Sequence, residues 1–442
     1  MRRILIIALV VLPSLNSVLA QGPSDVLATA TGHVIKTANI SPEVQRAIAD
    51  LPGSIARQRT DLLEQLIYQR LLEVEAAAQN ISVGQLIIKE KKKIADPSET
   101  DIKAVSEANA SVLATKTKEQ ARRIVVTFLR GEPERKAIEA MYNGLRTKYK
   151  VTTGKDVNVA NLAPSEMIAS INGKVVTLKE FDEFARVPIY ELRAELGDLI
   201  VENVSATLAA RLVEDEAKAL GVDSSAIMAK EITDKMKEFS DEERDTLEEA
   251  FQKKLFAKYN AKIIYQVPEP IAQVISVDDD PASGPATATV TVVMFSDFQC
   301  SACSATHPIL KKAIAEYPGK VRFVVRDYPL ESIHENAFRA ALAANAANAQ
   351  GKFFEYTEIL YKNQDTLDDA SLKKYAADLG LNAAKFDIDF TAAQTAVEVR
   401  KDMADGNTYG INSTPTIFIN GVKARDLSLA GFKALIDRAL KK

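Results

Sequence analysis

The sequence predicts a multidomain chain: a mainly α-helical N-terminal half built on an internal repeat, followed by an α/β domain with a helical insertion. Three observations lead there. The only two cysteines of the 442 residues are three apart, in Cys300-Ser301-Ala302-Cys303. They stand where the apolar, β-branched run Thr289-Val290-Thr291-Val292-Val293-Met294-Phe295 gives way to a helical pattern from Ser304 to Tyr317. Upstream, residues 23 to about 265 are alanine-rich, charged and self-similar.

The chain begins with Arg2 and Arg3, a short apolar core from Ile4 to Leu12 and a break at Pro13 and Ser14. Val18 and Ala20 supply the small residues of a cleavage site before Gln21. Nine apolar residues are too few for a bilayer span of about 20, so residues 1–20 read as a signal peptide. Export would place the dithiol where disulfides persist. Asn412-Ser413-Thr414 is a glycosylation sequon in the loop expected to face the cysteines. A glycan there would block them, which favours a bacterial periplasm. The formal charge of −4 gives no basic field for nucleic acid, and 47% hydrophobic residues suit a globular mature chain.

The repeat aligns Thr31-Gly32-His33-Val34-Ile35 with Asn172-Gly173-Lys174-Val175-Val176. The same shift of 141 brings Leu71, Glu75, Ala76 and Ala78 onto Leu212, Glu216, Ala217 and Ala219. Tyr149 then matches Tyr259 at a shift of 110, so copy one carries about thirty extra residues, expected at Ser111 to Met141. Each copy reads as a short extended segment around its Gly, then helices. Leu63, Leu66, Ile67, Leu71, Val74 and Ala78 form an apolar stripe in copy one, and Ile200, Val204, Leu208 and Leu212 the matching row in copy two. Module 1 spans 23–150, a linker 151–166 and module 2 167–267. The basic run Lys89 to Lys93 reads as a solvated face. Ala169 to Thr177 followed by Glu180-Phe181 resembles the opening of the N-terminal chaperone segment of SurA-type periplasmic foldases, and copy one fits that pattern less closely. The resemblance implies a client-binding helical surface. No parvulin-type isomerase domain can be placed.

Pro268 and Pro270 close the helical half. The domain 271–442 reads as a strand at Ile271–Val277, a turn at Asp278–Pro285, the strand before the cysteines, the CxxC helix and a strand at Val321–Val325. A helical insertion follows from His334 to about Asp405. Strands at Thr416–Ile419 and Val422–Ala424 flank the Asn420-Gly421 hairpin turn, and a helix runs from Leu427 to Leu440. A mixed sheet between helices with CxxC at its first strand–helix junction is a thioredoxin-like arrangement.

FSDFQCSAC (Phe295 to Cys303), Gln350-Gly351-Lys352-Phe353-Phe354-Glu355 and Ser413-Thr414-Pro415-Thr416 make this part resemble the DsbA-like thiol–disulfide oxidoreductases. The resemblance covers about 170 residues and implies disulfide exchange with exported, cysteine-containing proteins and a membrane redox partner, as yet unidentified. It also implies a cis-proline at Pro415, with Thr414 and Pro415 receiving a substrate strand. Ser-Ala stands between the cysteines where that family often has Pro followed by His or Tyr. The dipeptide tunes thiolate stability, so the direction of electron flow stays open.

Cys300, at the helix start, is the expected nucleophile, because N-terminal N–H groups and the helix dipole favour a thiolate. Cys303 is the expected resolving thiol. Asp297 is either a proton acceptor near Cys303 or a strand-end carboxylate. A structural disulfide is disfavoured, since this pair would close almost no loop. A zinc site lacks ligands: His307 reads as packing or capping before Pro308, and His334 merely opens the insertion. The redox-active pair itself is the only cofactor expected. The helical modules are open to two readings, a holder of unfolded clients or a homodimerisation element.

Overall fold

The computed structural model describes residues 25–81, 83–114, 118–331 and 333–441; the signal-peptide reading of 1–20 lies outside them. The chain divides into two compact units, at Pro268 and Glu269.

The helical unit opens with β1 (Val26–Ala30) and β2 (His33–Lys36). α1 (Pro42–Ala78) starts with Ser41 as its cap, the Oγ accepting from the Val44 N–H, and with Pro42 in the first turn, where no helical N–H is needed. α2 (Val83–Lys91), α3 (Glu99–Ala108), α4 (Ala110–Leu113) and α5 (Lys118–Lys148) complete copy one. β3 (Thr152–Thr153) ends copy one, and copy two follows as β4 (Met167–Ile171), β5 (Lys174–Thr177), α6 (Leu178–Leu220), α7 (Ser224–Glu231), α8 (Asp241–Lys258) and β6 (Lys262–Ile263). A reciprocal Thr177/Glu180 capping box fixes the start of α6, and Gly221, at φ 68°, ends it.

The copies interlock. β6, which ends copy two, pairs with β1 of copy one (Lys262 with Thr29, Ile263 with Ala28). β3, which ends copy one, pairs with β4 of copy two (Thr152 with Ser170, Thr153 with Ala169). Shifts of 110 and 141 superimpose these pairings residue for residue. One core combines the second half of α1 (Leu66, Leu71, Ala76) and Tyr149 with β4 and the first half of α6 (Phe181, Ala185, Ile189). The other combines β1, β2 and the first half of α1 (Val44, Leu51) with the second half of α6 (Ile200, Val204, Leu208, Leu212), α7 and α8. The spans 23–150 and 167–267 are therefore not two separate lobes: each sequence copy supplies half of each core.

Glu75 and Glu216, matched in the repeat, do equivalent work. Glu75 accepts from Lys148 and Tyr149, and the Tyr149 carbonyl takes the Asn172 N–H of the opposite hairpin. Glu216 pairs with Lys258 and bonds Tyr259, whose carbonyl takes the Thr31 N–H. Two details differ from expectation. Val74 and Ala78 face solvent, and Leu62, Leu72 and Ala76 occupy the buried face instead, because 37 residues of helix drift away from a fixed three-and-four spacing. The extra residues of copy one lie between α2, the counterpart of α7, and the second half of α5, the counterpart of α8. They are thus α3, α4 and the first half of α5, which begin upstream of the expected span 111–141 and overlap its first part.

The second unit comprises β7 (Ala282–Ser283), β8 (Val290–Ser296), α9 (Ser301–Ala315), β9 (Val321–Asp327), α10 (Ala337–Asn348), α11 (Phe353–Lys362), α12 (Asp369–Asp378), α13 (Ala383–Thr391), α14 (Ala393–Thr408), β10 (Thr416–Ile419), β11 (Val422–Lys423) and α15 (Leu429–Leu440). The sheet order is β11-β10-β8-β9-β7, parallel only between β8 and β9. Central β8 is buried along nearly its whole length, as strands covered on both faces are. The strand expected at Ile271–Val277 reduces to one bridge, Ala272 to Val422, and the edge strand forms within the expected turn, at Ala282–Ser283. The backbone at 273 already crosses the β10–β11 turn: a Cβ on Gly421 would lie 1.9 Å from the Gln273 carbonyl oxygen. The insertion is the five helices α10–α14 rather than one continuous run.

Candidate active site

β8 delivers the chain to a tight loop before α9. Asp297 shapes it: one carboxylate oxygen accepts the Gln299 N–H at 2.7 Å, and its carbonyl accepts the Cys300 N–H. The other oxygen accepts the Leu330 N–H (2.9 Å) and faces His334 Nδ1 at 2.7 Å. Gln299 Oε1 in turn receives the Asn336 N–H. From the insertion, Gln364 Nε2 donates to the carbonyls of Phe298 and Cys300, while Ser304 Oγ donates to the Tyr361 carbonyl. Phe298 is buried against the rings of Phe353 and Tyr361. The helical insertion thus clamps the dithiol loop from behind.

Cys300 is the N-cap of α9 and Cys303 lies within its first turn; both are free thiols. Cys303 is wholly buried, and Cys300 nearly so. The Cys300 thiol lies 3.3 Å from the Thr414 carbonyl oxygen, and the Thr414–Pro415 peptide is cis. The structure therefore brings Cys300, Cys303, Thr414 and Pro415 together, with Asp297 beneath them. The bond from the Cys303 thiol pulls the Cys300 pKa down to about 5, against the opposing effect of burial. The Thr414 side chain and the backbone N–H groups of Cys303 and Ala302 add to that lowering. Cys303 moves the other way: burial, then the neighbouring Cys300 sulfur, push its thiol far up, although Asp297 backbone and Ser296 hydroxyl bonds oppose this. One sulfur is an anion at neutral pH and its partner holds its proton, the division of labour that thiol exchange requires.

The Asp297 carboxylate is engaged with Gln299, Leu330 and His334, and it is the Asp297 backbone that bonds Cys303. Its place in the fold is that of a loop-shaping carboxylate. His307 packs its buried ring 4.9 Å from that of Tyr361, and burial lowers its pKa. Among the described residues, no group of three or more His, Cys, Asp or Glu side chains is disposed to hold a metal ion. Ser296, Tyr361 and Gln364 are site residues that the sequence did not single out. Only the alignment of Tyr361 with the apolar face of α11 was available there, and it reads as core.

Residues 276–438 match the family model described as thioredoxin. The C-terminal unit is a thioredoxin-like domain. The chain is 34% identical over 164 residues to the Na(+)/H(+) antiporter NhaA 1 of Mycolicibacterium gilvum, covering 36% of this chain and 27% of that protein. It is also 35% identical over 147 residues to the Na(+)/H(+) antiporter NhaA 3 of Salinispora tropica, covering 33% and 22%. The chain thus spans about a quarter of the length of these curated relatives. None of the helices among the described residues is long and apolar enough to cross a membrane. Among solved structures, a thioredoxin-like oxidoreductase from Silicibacter pomeroyi DSS-3 is 26% identical, with a TM-score of 0.35, over 37% of this chain and 93% of that one. BdbD from Bacillus subtilis is 23% identical, with a TM-score of 0.35, over 40% and 100%.

Proposed function

We propose that the protein is a thiol–disulfide oxidoreductase that exchanges disulfides with cysteine-containing exported proteins through Cys300 and Cys303. The observation that carries the reading is the asymmetric pair: Cys300 at the N-cap of α9 with its sulfur 3.3 Å from the Thr414 carbonyl oxygen, and a wholly buried Cys303 in the first turn of that helix. Cys300 attacks or is attacked, and Cys303 closes or opens the intramolecular disulfide. Thr414 and Pro415 line the approach, where a substrate strand would lie. A thiolate held near pKa 5 stabilises the reduced form, so the geometry favours an oxidant of client thiols over a reductant. The Arg2, Arg3 and Ile4–Leu12 pattern supports export, and the periplasm is the compartment proposed.

The helical unit would hold unfolded clients in the same chain as the dithiol, raising the effective concentration of client cysteines. Its SurA-like opening motif supports this role, as do the exposed Ile124 and Phe128, one turn apart on the stretch that only copy one carries. The alternative is a reductase or isomerase dimerised through that unit, or a scaffold using the redox domain for binding. Strand exchange that could join two chains is already completed between the two copies of one chain, which favours the client-holding reading.

Cys300→Ser and Cys303→Ser, each incubated with a disulfide-bonded peptide and read by mass spectrometry, test the exchange. Cys300→Ser should form no adduct, and Cys303→Ser should accumulate a mixed disulfide on Cys300. Adducts on the Cys300→Ser protein would reverse the assignment, and none on either would sink it. The equilibrium potential against glutathione then gives the direction, about −120 mV for an oxidant and about −270 mV for a reductant.

A further inference from the structure

The two helical copies build the same cradle and finish it differently. In copy two a cavity of about 220 Å³ opens between α6, α7 and α8. Its floor is apolar, made by Ile227, Phe251 and Leu255, with Leu220 at its edge. At the shifts of 141 and 110, copy one places Leu86, Met141 and Leu145 at the floor positions. The residue that matches Leu220 is Gln79, and there it acts as a strap. Its Nε2 donates to Glu75 Oε1 at 2.5 Å, and its Oε1 accepts from Lys89 Nζ at 2.7 Å. The glutamine thus ties the end of α1 to α2. Copy two keeps the corresponding Glu216 and Lys230 but has no amide to join them. Leu220 bonds neither and stands 61% exposed.

We propose that this copy-two cavity is a subsite for a single aromatic side chain of an unfolded client, flanked in the client by a carboxylate. The proposal rests on the client-holding reading of the helical unit. Size fits first: a cavity of about 150 Å³ accepts benzene, so about 220 Å³ takes a phenylalanine ring. Charge fits next. Glu231 pairs with Lys254 and Lys235, and Glu216 with Lys258, whereas Lys230 makes no ion pair among the described residues. Three lysines against two glutamates leave the lining net positive. An acidic neighbour on the client is therefore attracted to Lys230, and a basic one repelled.

The area argues for a client rather than a second copy of this chain. One aromatic side chain buries about 150–250 Å², far below the roughly 1,200 Å² of a stable protein–protein interface. Holding of this kind is weak at one site and gains strength when several side chains of the same client are engaged. It also releases a finished product, because folding buries the aromatic side chain that the cavity takes.

A terminally blocked, cysteine-free, fluorescein-labelled peptide carrying a Phe-Glu pair tests the site by anisotropy against the full-length protein. The dithiol takes no part in its binding. Leu220→Gln rebuilds the copy-one strap between Glu216 and Lys230 and should weaken binding by about tenfold or more. Lys230→Glu should weaken it about fivefold at low salt and should not weaken binding of a Phe-Lys peptide. Replacing the peptide's Phe by Ala should abolish binding to the wild type. Equal affinities of the wild type and Leu220→Gln overturn the proposal, as does undiminished binding of the Ala peptide. If circular dichroism shows that Leu220→Gln does not fold, an unchanged affinity in Lys230→Glu overturns it. A wild type that leaves the Phe-Glu peptide unbound refutes the subsite. If that wild type also fails to suppress aggregation of a cysteine-free client, the client-holding reading falls with it.

Discussion

Removing the Cys303 sulfur should raise the pKa of Cys300, because the bond donated by that thiol is the largest cause holding it at about 5. Cys303→Ala deletes the donor, and Cys303→Ser keeps an O–H in nearly the same place. A hydrogen bond to a charged group contributes about 1.5–3 kcal/mol, and one pH unit corresponds to about 1.4 kcal/mol. The Cys300 midpoint should therefore rise by about one to two pH units in Cys303→Ala and stay near 5 in Cys303→Ser. Both variants carry a single cysteine, so thiolate absorbance or iodoacetamide alkylation against pH reads Cys300 alone. At pH 5 an ordinary thiol of pKa about 8.5 is only about 0.03% thiolate, against half for Cys300. Lower basicity gives back a factor of roughly 40 in intrinsic nucleophilicity. Cys303→Ser should then alkylate roughly 40-fold faster at pH 5 than an unstructured cysteine peptide, with little difference at pH 7. Equal midpoints in the two variants would refute the donor role of Cys303. Midpoints near 8.5 in both would refute the activated thiolate.

Residues 269–442 should fold alone and exchange disulfides with a small peptide, since every strand of the β11-β10-β8-β9-β7 sheet lies within them; a molten fragment by near-ultraviolet circular dichroism would contradict this. Fragments 25–160 and 161–268 should each be unfolded alone and regain helicity when mixed, because each supplies half of both helical cores. A stable isolated fragment would refute the interlock. Burial, and then Asp402, raise the Asp280 carboxyl to about 8 in the folded chain. The folded state binds more protons than the unfolded one between about pH 4 and pH 8, so this group erodes stability as pH rises through that window. Asp280→Asn should therefore flatten the decline in urea-unfolding stability across it, and an unchanged pH dependence would count against the buried carboxyl.

The dithiol was legible because its chemistry is local. A CxxC at a strand–helix junction places its first sulfur at the helix N-terminus whatever surrounds it, and Asn420-Gly421 sets its hairpin by backbone preference alone. The 271–277 segment misled for the complementary reason: its alternation is that of a strand, but strand formation needs a partner edge, and only Ala272 finds one. The companions of the cysteines were hidden because Ser296, Tyr361 and Gln364 look like ordinary strand and helix residues. Tyr361 and Gln364 reach the Ser296 hydroxyl and the Cys300 carbonyl only once the insertion folds over α9. Glu75 and Glu216 were visible as repeat-matched residues, but not as the acids that bind each copy's closing helix and tyrosine.

The sequence by itself determined the repeat, the order of elements in the α/β unit, the thiol pair and its likeness to a disulfide-exchange motif. All of these depend on residue identity, spacing and short-range backbone preference. Only the tertiary structure decided that the two helical copies trade strands and half-helices rather than folding side by side. An apolar stripe shows that a face must be buried but does not say against which partner, since hydrophobic burial is non-directional. The same holds at the dithiol. Which carbonyl faces the Cys300 sulfur depends on how the loop before β10 folds back onto α9, a contact between residues 114 positions apart.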